Sequence, residues 1–185
     1  MIIDPDKLIA VLQTAALGVA GLFVVLFVNS FFSRRISLNY EVRARRYIAR
    51  KSYNLVFYFF FHAVMAIALV QMGAVVIWAG VLMGMGIVSD FVQAVLFAGS
   101  CYTTLGIVSD IAQDHWRLMP ILIALSGIFS LALSTANVVG MAPMYRKAWF
   151  AKHARRVREI LEAEHLDPTE VGLGYLVEDD IDRRS

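Results

Sequence analysis

The sequence predicts an all-α integral membrane protein, with three transmembrane helices and one shorter re-entrant helix that runs into a loop. Three observations predict it. Of the 185 residues, 59% are apolar and only 17% charged, and the mean hydropathy is +0.65, above what an ordinary water-soluble domain carries. Runs 8–32, 54–86 and 118–144 contain no Lys, Arg, Asp or Glu, and about twenty apolar residues in a helix cross the ~30 Å hydrocarbon core of a bilayer. Between the second and third runs lies 91–105, apolar but too short to span. Such a segment reads as re-entrant or buried, because non-helical backbone at membrane depth survives only inside protein or against water.

The first run defines an N-terminal transmembrane helix over residues 1–32. Its start, "MIIDPDK", is acidic where the n-region of a signal peptide is basic, and the apolar run exceeds an h-region, so the span is expected to stay as an anchor. Arg34, Arg35, Arg43, Arg45, Arg46, Arg50 and Lys51 follow and mark 33–53 as a basic cytoplasmic loop. Arg146, Lys147, Lys152, Arg155, Arg156 and Arg158 form a second cluster in a helical tail over 145–185. The positive-inside bias places both clusters in the cytoplasm. Three spans then give a multi-pass protein of the plasma (inner) membrane with its N-terminus outside and its C-terminus cytoplasmic. Residues 103–110 fall on the outer side.

The string "GIVSD" occurs at 86–90 and again at 106–110. No longer internal repeat accompanies it, so the recurrence carries no duplication. In the first copy Ser89 or Asp90 can cap a helix whose Phe91, Ala94, Val95 and Ala98 are spaced as one face. The predicted helix covers 89–102 and runs inward, so its partially negative C-terminal end favours a cation near the bilayer midplane. "TTLGIVSD" then returns to the outer face.

The stretch "DFVQAVLFAGSCYTTLG", followed by "WRLMPILIALSGIFSLALSTA", resembles the pore module of potassium channels in their two-helix-plus-pore-loop form. The resemblance covers about half of the chain, residues 54–144, and leaves out the first span and the tail. It implies an outer helix, a pore helix at 89–102, a filter-like loop at 103–110 and an inner helix at 117–144, assembled as a homotetramer around one axis. In that family rings of backbone carbonyls replace the hydration shell of the ion. Thr103, Thr104, Leu105 and Gly106 match the inner half of the filter. Where the family pattern continues Tyr-Gly-Asp, this chain has Ile107, Val108, Ser109 and Asp110. A β-branched Val resists the positive φ that a filter glycine adopts. Two consequences stay open: a shorter, less potassium-selective set of carbonyl sites, or an apolar plug at Ile107 and Val108 that does not conduct.

Ser126, Ser130 and Ser134 are four apart and share one helix face. They either line a wet cavity, extended by Thr135 and Asn137, or pack helices, as small hydroxyl residues do in membranes. Gly127 is either a hinge or a point of close approach. At the outer mouth, Ser109, Asp110 and Asp114 would gather cations. His62 and Gln71 lie inside the second run; an intramembrane His can sense protons, or simply hydrogen-bond a neighbouring helix. Cys101 is the only cysteine, which leaves neither an internal disulfide nor a Cys-based metal site. No nucleotide fingerprint, His-Glu metal helix or Ser-His-Asp arrangement is present. An enzyme, a nucleic-acid partner, a cofactor and any metal beyond a permeant potassium or other monovalent cation are not expected.

The resemblance therefore implies passive monovalent cation conduction through a tetrameric pore with an altered filter. Its rivals are a non-conducting structural or accessory subunit of a larger membrane complex, and a signalling protein whose basic tail meets anionic membrane lipid or a cytosolic partner.

Overall fold

The computed structural model describes residues 5–106, 116, 118–165, 167 and 172. The described elements are helices: α1 (Pro5–Ala49), α2 (Tyr53–Gly84), α3 (Phe91–Tyr102), α4 (Met119–Lys152) and α5 (Ala154–Ala163). Three of them, within Leu12–Ala49, Tyr53–Gly84 and Met119–Lys152, are long and apolar enough to cross a membrane. α3 is the short apolar helix between the second and third.

Helix α1 does not stop at 32. Residues 33–49, expected as a basic loop, continue it to Ala49. The reason is local: this stretch has no Gly or Pro, carries five Arg, and links Glu41 to Arg45 one turn on by a 2.7 Å ion pair. Hydropathy marks where a helix leaves lipid, not where it ends. In the same way α4 passes the expected boundary at 144 and carries Pro143 inside it before ending at Lys152.

Two helix ends close by one device. At the end of α1 the amides of Lys51 and Ser52 turn back onto the carbonyls of Ile48 and Tyr47, both at 2.9 Å. After α2, Gly86 and Ile87 turn back onto Met83 at 2.9 Å and Leu82 at 3.0 Å. The residue at the turn is left-handed in each, Lys51 at φ +56° and Gly86 at φ +70°, which satisfies otherwise orphaned carbonyls.

The chain forms two compact units, and α1, α2 and α4 contribute to both. The first comprises Met1–Ser37 and Val64–Val138. Its core is Trp78 and Leu82 of α2, Met119 and Ile123 of α4, Val25 of α1, and the Ala94, Phe97, Ala98 and Cys101 face of α3. Glycines let the helices approach: a Cβ on Gly21 would stand 3.0 Å from the Trp78 ring, and one on Gly18 would run into Leu122. The outward residues are also apolar, among them Phe27, Leu69, Leu96 and Leu131, as a lipid-facing surface requires.

The second unit comprises Leu38–Ala63 and Val139–Ser185. Aromatic rings hold it together. Tyr47 stacks on Phe59 at 5.3 Å, and Tyr145 packs on Phe57 at 5.0 Å and Phe60 at 4.8 Å. In α5, Val157 and Leu161 are buried against Phe150 and Ala154, which leaves Arg155, Arg156 and Glu159 on the exposed side.

Candidate functional site

The site is built around α3 and the turn that ends it. Asp90 caps the helix, its Oδ2 accepting from the Gln93 amide at 2.9 Å, so the first "GIVSD" ends in a working N-cap. Tyr102 closes the helix, and the chain then reverses as it does after α1 and α2. Thr104 donates its amide to Cys101 at 3.0 Å and Leu105 to Ser100 at 2.9 Å. Thr104 sits at φ +58° and Gly106 at φ +69°. Glycine takes that conformation freely, but for a β-branched threonine it is an outlier. Both hydroxyls are engaged: Thr103 donates to the Gly99 carbonyl and Thr104 to the Thr103 carbonyl, each at 2.7 Å. Thr103, Thr104, Leu105 and Gly106 are nevertheless exposed on the single chain.

Behind this turn lies a polar cluster that joins four helices inside an apolar core. Gln71 of α2 is its hub. Its Oε1 accepts from the Tyr102 hydroxyl of α3 at 2.6 Å and from Asn29 Nδ2 of α1 at 2.8 Å. Its Nε2 donates to Ser134 Oγ at 2.6 Å and to the Ser130 carbonyl of α4 at 3.1 Å. Asn29 Oδ1 in turn accepts from Ser134 Oγ at 3.3 Å and Ser33 Oγ at 3.2 Å. Each amide is thus used as both donor and acceptor, the condition under which polar groups persist out of water.

The contact with Gln71 also fixes depth. Gln71 precedes the end of α2 by roughly 20 Å of helix, so Tyr102, at the far end of α3, lies level with the middle of α2. On the other side the Tyr102 carbonyl presses on Gly127 of α4, where a Cβ would run into that oxygen. Gly127 is therefore a point of close approach between α4 and the end of α3.

The serine stripe is where the structure departs most from the cavity reading. Ser126, Ser130 and Ser134 are buried within the chain, facing α1, α2 and α3. Ser126 Oγ accepts from Trp78 Nε1 at 2.8 Å and donates to the Ile123 carbonyl at 2.7 Å, while Ser130 and Ser134 serve Gln71. Of the two readings of the stripe, helix packing is the one the contacts carry. Asn137 lies apart, its Nδ2 donating to the Leu133 carbonyl at 2.9 Å. His62 stacks on Tyr58, with centroids 6.2 Å apart. Ile107, Val108, Ser109, Asp110 and Asp114 lie outside the described residues.

Asn29, Trp78 and Tyr102 did not stand out in the sequence. A signal existed for Asn29, a strongly polar amide in the uncharged run 8–32, which in lipid needs a partner on another helix. Among the described residues no group of three or more His, Cys, Asp or Glu side chains could hold a metal ion. No family model, curated protein or solved structure matches this chain.

Proposed function

We propose that the chain is one subunit of a potassium-channel-like homotetramer that conducts monovalent cations passively across the inner membrane. In this reading α2 is the outer helix, α3 a re-entrant pore helix, 103–106 the inner part of a filter, and α4 the inner helix. One observation carries it. An apolar helix too short to span a bilayer has its C-terminal end at the mid-depth of α2 and breaks there at Thr104, a β-branched residue in left-handed conformation. Backbone of that kind is concentrated at functional sites. The dipole of α3 places partial negative charge at the same point, and residues 103–106 are exposed on the single chain. Asp110 and Asp114 would gather cations at the outer mouth, with the N-terminus outside and the C-terminus cytoplasmic. Because the serine stripe faces inward, the wet cavity falls to the exposed face of α4, where Thr135 lies.

A second reading, a non-conducting structural subunit of a membrane complex, is favoured by the hydrogen bonds of the turn. Both threonine hydroxyls and the Gly99, Ser100 and Cys101 carbonyls are already taken inside the chain. Cation flux into proteoliposomes separates the two. The conducting reading expects potassium and sodium to enter faster than N-methylglucamine, with Thr104→Gly changing the ratio between the first two. A verified tetramer that passes no cation above the empty-vesicle background would establish the structural subunit instead.

A further inference from the structure

We infer that the second unit carries a binding site for the phosphate of an anionic membrane lipid, in the cleft between the α1–α2 turn and the last turn of α4. Lys51, Ser52, Tyr53, Asn54, Leu55 and Lys152 line an open cleft of ≈ 330 Å³. Two lysines, Lys51 and Lys152, and among the described residues no Asp or Glu, contribute to its lining. Among the described residues the partners of Lys152 Nζ are neutral: it donates to Asn54 Oδ1 at 2.8 Å and lies 5.5 Å from the centroid of the Phe57 ring. These contacts orient the charge over the cleft without neutralising it. The first turn of α2 adds the positive end of its dipole.

The surroundings decide what kind of anion fits. Here the apolar helix α2 begins, and Tyr58, Phe61 and Trp149 are exposed around it. Amphipathic rings of this type settle at the headgroup level of a bilayer. Leu55, which lines the cleft, continues into Tyr58 and Phe61 as an exposed stripe along one side of α2. A phosphate between the two lysines would therefore have its acyl chains lying on that stripe. Arg46, Arg50, Arg155 and Arg156 make the rest of the unit basic, which suits an anionic leaflet. A free phosphate would use the lysines and leave the apolar stripe uncovered; the cleft and the stripe together match a lipid. The site is independent of whether the protein conducts.

The test uses the full-length protein extracted from bilayers of phosphatidylcholine and phosphatidylglycerol with matched acyl chains, the lipids retained by each chain being counted by native mass spectrometry. Phosphatidylglycerol is expected to be retained in preference. Lys152→Gln should lower that preference about fivefold and Lys51→Gln with Lys152→Gln further, whereas Lys152→Arg should keep it. Arg155→Gln with Arg156→Gln removes as much charge outside the cleft and should leave retention unchanged. Equal retention of the two lipids, an equal loss from the arginine pair, or loss in Lys152→Arg would each overturn the site. Displacement of the lipid by millimolar inorganic phosphate would overturn its assignment to a lipid and leave a soluble-anion site.

Discussion

A methyl group on Gly127 would meet the backbone oxygen of Tyr102, an atom fixed by the end of α3 and unable to swing aside as a side-chain tip can. Gly127→Ala is therefore expected to cost about 1–3 kcal/mol, read as a lower melting temperature in detergent. Gly73→Ala and Gly80→Ala, where a Cβ meets nothing within 4 Å, should stay within about 0.5 kcal/mol of the parent. If all three behave alike, the close approach does not matter to stability. The sequence could offer Gly127 only as hinge or contact, because the atom it touches belongs to a residue on another helix. The same holds for the serines. Their spacing of four was legible as a shared face, but which way that face points depends on Trp78 and Gln71, far away in the chain. Thr104 shows a further limit, since nothing in "TTLG" announces that the second threonine, as well as the glycine, takes a left-handed conformation just after the helix.

Among the helices, the polar cluster makes α3 depend on α1, α2 and α4 together. Tyr102→Phe removes one donor and leaves Gln71 its other partners, so it should cost about 0.5–2 kcal/mol. Gln71→Leu strands Asn29 and Tyr102 at once and should cost more than Tyr102→Phe. In the double variant the loss should fall short of the sum by the energy of the shared bond. Additive losses, measured by unfolding in mixed micelles, would mean that the 2.6 Å contact carries no coupling. Spans and the short helix were legible because apolar runs report burial in lipid or protein directly. The continuation of α1 through 33–49 was not, since its charges look like a loop to a hydropathy reading while its Arg, Glu and Ala favour helix.

For the assembled protein, three helices fit for a bilayer were evident from composition, whereas oligomeric state is written on surfaces that look alike. Leu96 on α3 and Phe27 on α1 are 67% and 72% exposed, and both are apolar. The tetrameric proposal separates them, because α3 lies near the common axis and α1 toward lipid. Native mass measurement should give four chains. Leu96→Gln should shift the population to single chains, and Phe27→Gln should leave it in place. The reverse pattern would put α1 at the interface and sink the channel-like arrangement. The amide and hydroxyl groups around Gln71 also act as a vernier on α1. Sliding that helix by one turn, about 5.4 Å, would carry Asn29 beyond reach of Gln71 and Ser134 and strand their polar atoms in hydrocarbon. The first span is thus pinned to a single axial register.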